Sequence, residues 1–269
     1  MKGIVLGCGN MSQAMIQGMK GVVDFKQTSF YTPSKTRAKD LAQTVGGLLA
    51  QELDDLPSDP DFVFINCKPQ QFNQLAHDLK GRFTSNPLYI SILAATPRSV
   101  HETLLNSDRI LRVMPNMPVR YKKGISLLLS SKGVSESEKK QWAHYLASLG
   151  MIKWTQTEEE FNRLMLLCGS GPAFMYQWLK WLSQMSDDLD MNQREELAIA
   201  VMEGSLMALK SAPEKSLETL IGEVTSKGGV TAAVLEGWKI SGVEDSLKKG
   251  FVQGEKRTNE IQDLVVKGP

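Results

Sequence analysis

The chain has 269 residues and nearly balances 31 basic against 30 acidic side chains, with no polybasic run, so neither a nucleic-acid nor a membrane-surface partner is expected. Its three cysteines, Cys8, Cys67 and Cys168, stand far apart and form no Cys-x-x-Cys pair, which argues against a disulfide framework or a zinc site and fits a reducing compartment. The length suits two ordinary domains, no charged-then-apolar leader precedes the first apolar run, and no run approaches the ~20 apolar residues of a membrane span; the expectation is a cytoplasmic protein acting on a small molecule.

Ile4-Val5-Leu6 reads as a buried parallel strand, and Gly7-Cys8-Gly9-Asn10-Met11-Ser12 follows it in the Gly-x-Gly-x-x-small pattern of a dinucleotide turn. In that reading Gly7 permits the tight turn and Gly9 the approach of a pyrophosphate. Ser12 keeps the next helix, about Asn10 to Lys20, close to the strand. The anion would rest on the free N–H groups at the start of that helix. Without a ligand the same residues make only a glycine-rich strand-to-helix turn.

Ser29–Thr32 reads as the second strand, leaving through Pro33-Ser34. A site for NAD places Asp or Glu at this exit to hold the ribose hydroxyls, and a site for NADP omits it. Here Thr32, Pro33, Ser34, Lys35 and Arg37 precede the first carboxylate, Asp40, so NADP is favoured. Lys35 and Arg37 also fit the solvated face of the next helix. Further strands are expected at Gly47–Ala50, Asp61–Cys67, Leu88–Ala95, Arg109–Met114, Ile125–Ser130 and Met151–Trp154. A helix between the last two opens at the capping box Ser135/Glu138 and ends at Gly150. Alternating strands and helices over 1–157 predict an N-terminal Rossmann-type, doubly wound α/β domain.

From Glu158 the pattern is helical, beginning with the acidic first turn Glu158–Glu160. Pro172 within Cys168–Ala173 is expected to kink or restart the first long helix. Asn192 with Glu195 reads as a second capping box, for a helix running to about Ser211, and further helices begin at Ser216 and Thr231. Met, Trp and Leu occupy more than one helix face, so 158–269 is expected to be an all-α domain that forms a homodimer, with a thick monomeric core as the alternative.

His77, His101 and His144 lie in polar helical surroundings, where surface or capping roles are expected. No Ser/His/Asp set, carboxylate pair or metal spacing is present. That fits a reductase whose substrate accepts hydride readily, such as a protonated imine, since positioning then matters more than a strong acid or base. Ser226-Lys227-Gly228-Gly229-Val230-Thr231 precedes a helix and exposes several backbone N–H groups, a seat for a carboxylate with the Thr231 hydroxyl pointing at it. An ordinary helix–helix turn capped by Thr231 fits the spacing equally.

These elements resemble the Δ1-pyrroline-5-carboxylate reductase family, which reduces pyrroline-5-carboxylate to L-proline with NAD(P)H. The resemblance spans essentially the whole chain. It rests, in family order, on Gly7–Met11, Tyr31-Thr32-Pro33-Ser34, Lys68-Pro69, Met114-Pro115-Asn116-x-Pro118, Gly169-Ser170-Gly171-Pro172-Ala173 and Val224–Leu235. It implies NADPH as cofactor, NADH remaining open, lined by Leu6, Gly7, Cys8, Gly9, Asn10, Met11, Thr32, Ser34, Asn66, Cys67, Lys68, Pro69 and Ala95. It implies that Ser226, Gly228, Gly229, Val230 and Thr231 hold the substrate, with Thr231 near the imine nitrogen, and that the helical domain forms a homodimer or larger ring. No metal is implied. Lys227 stands where the family has Pro, Met117 where it has Thr and Cys168 where it has Ser or Thr; the lost proline frees the substrate loop. A β-hydroxyacid dehydrogenase is the enzyme alternative, but Pro172-Ala173-Phe174-Met175-Tyr176 lacks the lysine those enzymes carry there. A catalytically silent NADP-binding protein is the alternative from another class.

Overall fold

The computed structural model describes residues 1–185 and 188–267, the last three by backbone alone. Its first half is one eight-stranded sheet in the order β3-β2-β1-β4-β5-β6-β7-β8. β1 (Gly3–Leu6), β4 (Phe62–Ile65) and β5 (Leu88–Ser91) are buried along their whole length, as expected of parallel strands covered on both faces. β2 (Thr28–Tyr31) and the two-residue β3 (Leu48–Leu49) lie on one side of β1. β4, β5 and β6 (Ile110–Pro115) lie on the other. Strand order therefore reverses between β1 and β4, the place where such sheets bind ligands.

The parallel run ends at β6. β7 (Gly124–Ser130) pairs antiparallel with it and parallel with β8 (Gly150–Trp154). Only a short 3-10 turn, Met117–Tyr121, joins β6 to β7, too short for a parallel crossover.

Two apolar layers flank the sheet. On one face Val5, Phe30, Phe62 and Phe64 pack with buried residues of α1 (Asn10–Gly18), α2 (Lys35–Val45) and α5 (Glu136–Ala147). Trp142 of α5 is 2% exposed and meets Phe62 and Phe64 edge-on, with ring centroids at 5.1 and 5.7 Å. On the other face Ile4, Leu6, Val63 and Ile65 pack with α3 (Phe72–Leu79) and are flanked by Val100 and Leu104 of α4 (Arg98–Leu105). The capping box of α5 forms as expected: Ser135 accepts from Glu138 N and the Glu138 carboxylate accepts from Ser135 N.

The helical part begins with α6 (Glu158–Ser183). It runs as one helix with Pro172 inside it, so the expected restart does not occur. Pro172 has no N–H to offer the carbonyl of Cys168 four residues back, and Asn116 fills the gap: its Nδ2 donates to Cys168 O at 2.9 Å while its Oδ1 accepts from Ile125 N at 2.8 Å. α7 (Met191–Ser211) also corrects an expectation, since its cap is Asp190, accepting from Gln193 N at 3.1 Å, and Asn192 lies within the first turn. Asp190…Gln193 and Asn192…Glu195 both match the capping pattern, and the upstream pair closes the helix. α8 (Leu217–Glu223) is capped by Ser216, and α9 (Val230–Ile240) and α10 (Val243–Lys267) complete the chain.

By contacts the chain forms two compact units, Met1–Pro172 together with the stretch from Glu255 onward, and Ala173–Gly254. The change from alternating elements to helices falls at Glu158, and the division by contacts falls within α6 and α10. Among the described residues no helix is long and apolar enough to cross a membrane.

Candidate functional site

The first site grows from three strand exits held side by side. Gly7 N donates to Tyr31 O and Asn66 N donates to Leu6 O, each at 2.8 Å. Gly7 has φ +99°, and a Cβ there would lie 2.4 Å from Asn66 O and 2.9 Å from Cys67 N, so only glycine fits. Gly9 faces open space, and as the N-cap of α1 it brings no side chain to the helix's free N–H groups. Those donors and the helix dipole are available to an anion. Ser12 is 1% exposed and accepts from Asn66 Nδ2 at 2.9 Å, tying α1 to the β4 exit.

These exits open on a cleft of about 480 Å³ lined by Leu6, Gly7, Cys8, Gly9, Thr32, Asn66, Cys67 and Lys68. The other expected cofactor residues sit beside it. Asn10 and Met11 form the first turn of α1, Ser34 is the N-cap of α2, and Pro69 opens a 3-10 turn. Ala95 is buried beyond β5 with φ +50°. Burial pushes the Cys8 and Cys67 thiols up to about 12, so both are neutral walls rather than nucleophiles.

Two cations near the β2 exit are separated by their partners. Lys35 Nζ lies 2.6 Å from Glu52 Oε1, and that carboxylate raises the lysine's pKa. Arg37 lines the cleft and has no ion pair among the described residues. No carboxylate stands at Thr32–Ser34, and the arrangement suits a 2′-phosphate better than a bare ribose. Further lining, Leu53 with Gln71, Gln74, Leu75 and Asp78, was missed by sequence reasoning. Gln74 and Asp78 are four apart on α3, a spacing that places them on one face and says nothing of what that face meets.

The second candidate is the Ser226–Thr231 stretch. α9 starts at Val230 with Gly229 as its N-cap and no side-chain cap, so Thr231 is the second helical residue and does not cap. Gly229 N donates to Ser226 O at 3.0 Å, Gly228 has φ +72°, and a Cβ on Gly229 would strike Ser226 Oγ at 2.3 Å. Val230 is 83% exposed, and Lys227 and Thr231 are exposed as well. The first-turn N–H groups are therefore free for a carboxylate.

No histidine lines the cleft. His101 is wholly buried, against the surface or capping role expected of it. It packs on Phe72 at 4.7 Å, with Nδ1 2.9 Å from Pro97 O and Nε2 2.7 Å from Ser91 Oγ. A carbonyl only accepts, so Nδ1 carries the proton and Ser91 donates to Nε2. Burial first, and the nearby Arg112 guanidinium second, lower its pKa to about 3. Arg112, 1% exposed, pairs with Glu158 at the start of α6 and lies 4.2 Å over the Phe161 ring. Among the described residues no group of three or more His, Cys, Asp or Glu could hold a metal ion.

Comparison with known proteins matches residues 158–261 to the family described as pyrroline-5-carboxylate reductase dimerisation, and residues 3–95 to NADP oxidoreductase coenzyme F420-dependent. The pyrroline-5-carboxylate reductase of Vibrio alginolyticus is 27% identical over 263 residues, covering 96% of this chain and 97% of its own. Among solved structures, a pyrroline-5-carboxylate reductase from Coxiella burnetii shares the fold with a TM-score of 0.85 at 22% identity, covering 96% of this chain and 97% of that one. A Plasmodium falciparum pyrroline carboxylate reductase with NADP bound does so with a TM-score of 0.81 at 22% identity, covering 98% and 97%.

Proposed function

The chain belongs to the pyrroline-5-carboxylate reductase family, and from that premise we propose that it reduces Δ1-pyrroline-5-carboxylate to L-proline with NADPH. The observation that carries the reading is the cleft at the β1, β2 and β4 exits. It offers an uncapped helix N-terminus for a pyrophosphate and, at the β2 exit, an arginine with no ion pair among the described residues and no carboxylate at Thr32–Ser34. Leu6–Met11, Thr32, Ser34, Asn66–Pro69 and Ala95 hold the dinucleotide, and NADH serves less well because Arg37 has nothing to meet on it. The dinucleotide, when bound, supplies the hydride.

The substrate's carboxylate rests on the N–H groups at Val230 and Thr231, bordered by Ser226, Gly228 and Gly229. There the helix dipole stabilises it. Thr231 Oγ accepts the hydrogen bond of the protonated ring N–H and fixes the ring's orientation. A protonated imine is already electrophilic, so positioning of this kind is the contribution required of the protein. In this reading 1–157 is the NADP-binding domain, and 158–269 holds the substrate and forms a homodimer in the cytoplasm. The apolar surface of the helices supports the dimer: Val201, Met207 and Ile240 are 62%, 69% and 79% exposed in the single chain.

Purified protein given NADPH and pyrroline-5-carboxylate should lose absorbance at the reduced-nicotinamide band. No loss beside an active control reductase refutes the assignment. Thr231→Ala is expected to lower kcat about a hundredfold with the Kd for NADPH unchanged; turnover at the wild-type rate removes Thr231 from the mechanism.

A further inference from the structure

The cleft has an acidic residue that the proposed function leaves unexplained. Asp78, on α3, lines the same cleft as the Gly7–Gly9 turn and Arg37. A carboxylate there opposes the binding of a ligand bearing several phosphate charges unless it meets a hydrogen-bond donor. Its neighbours leave it available. Gln74 Nε2 donates to Asp78 Oδ1 at 2.7 Å and fixes the carboxylate's orientation. Arg82 is turned away, its Nη1 on Asp54 and its Nε on the Asp78 backbone carbonyl, both at 2.6 Å. His77 Nδ1 stands 3.7 Å from the same Oδ1. Oδ2 has no hydrogen bond among the described residues.

The position of Asp78 selects the donor. With the pyrophosphate on the first turn of α1 and the phosphorylated ribose at Thr32 and Arg37, the base is left to meet the rest of the lining, which includes Leu53, Leu75 and Asp78. The two leucines are apolar lining for a ring, and Asp78 brings a carboxylate to the same cleft. The adenine amino group is the donor on that half of the dinucleotide that lies beyond the ribose. We infer that Asp78, held by Gln74, reads the exocyclic amino group of the adenine, so that the cleft selects an adenine dinucleotide over one with an oxygen at the same position. The inference rests on the proposed binding of NADPH in this cleft.

The test is direct titration of the full-length protein with NADPH and with its hypoxanthine counterpart, followed by nicotinamide fluorescence. Hypoxanthine replaces the amino donor by a carbonyl acceptor and carries its donor one ring position away, at N1. The wild type should bind NADPH about tenfold more tightly, the size of one hydrogen bond to a charged group. Asp78→Ala should bring that ratio to about one by weakening NADPH. Asp78→Asn, whose amide can donate to the carbonyl, should tighten the hypoxanthine form. Gln74→Ala, which frees the carboxylate to rotate, should lower the ratio by a smaller factor. Circular dichroism melts check that each variant is folded. A wild type indifferent to the base, or an Asp78→Ala variant that changes both affinities equally, overturns the inference while leaving the proposed function standing. Failure of NADPH to bind at all overturns both.

Discussion

The sheet-bearing unit and the helical unit treat their apolar side chains in opposite ways. In the first, Ile4, Phe30, Phe64 and Ile65 are 0% exposed and the sheet is covered on both faces. In the second, among the described residues, Met207, Val230 and Ile240 are 69%, 83% and 79% exposed, and Ala198 is a rare buried position. The first unit closes its own core, whereas the second leaves many large apolar side chains uncovered. A single large core and an unfinished one respond differently to mutation, and that contrast can be broken from either side.

The largest effect is expected in the closed core. Trp142→Ala removes the ring against Phe62 and Phe64 and should cost about 4 kcal/mol of stability, read by urea unfolding, because α5 and the sheet face it covers cannot collapse fully into the space. The same experiment on the open face should behave differently. Met207→Asp should leave the single chain's unfolding nearly unchanged yet raise the dimer dissociation constant more than about tenfold, seen by sedimentation, since the aspartate would have to be buried on association.

Acid should also distinguish the units. His101 titrates near 6.5 when unfolded and at about 3 in place, so the unfolded chain binds the extra proton first. Its contribution is therefore complete above pH 6.5 and declines as pH falls toward 3, by about 2 kcal/mol at pH 5. Urea midpoints at pH 7 and pH 5 check this, and a His101→Asn variant should show the smaller drop. The smallest effect belongs to the cleft: Arg37→Ala should raise the Kd for NADPH about tenfold and leave that for NADH unchanged. Equal loss for both would move the 2′-phosphate elsewhere.

Much of the first unit was legible in the sequence because burial on both sheet faces forces continuous apolar runs such as Phe62–Ile65. The Gly7–Gly9 turn was legible because a positive φ at Gly7 admits little else. Strand direction was not, since the reversal at β7 follows from the length of the Met117–Tyr121 connection rather than from any strand residue. His101 read as a surface residue because its helix carries Arg98, Glu102 and Thr103. Its neighbours Phe72, on α3, and Ser91, at the end of β5, come from other elements of the chain. Separation along the chain hid the cleft wall: Arg37 and Lys35 look alike in sequence, and only Glu52, seventeen residues on from Lys35, tells them apart. Pro172 read as a break because its substitute donor, Asn116, lies 56 positions earlier in the numbering.

That last bond bears on how such a chain could be recombined with its relatives. A graft joined where the strands stop, at Glu158, would separate the Asn116 amide from the Cys168 carbonyl it serves and Arg112 from Glu158. Either piece would inherit half of each pair. A seam placed just beyond Pro172 keeps both pairs on one side, and a donor lacking asparagine at the position of Asn116 would bring a proline helix with an unanswered carbonyl. Compatibility between two parents would then turn on a pair of residues on separate elements rather than on overall similarity.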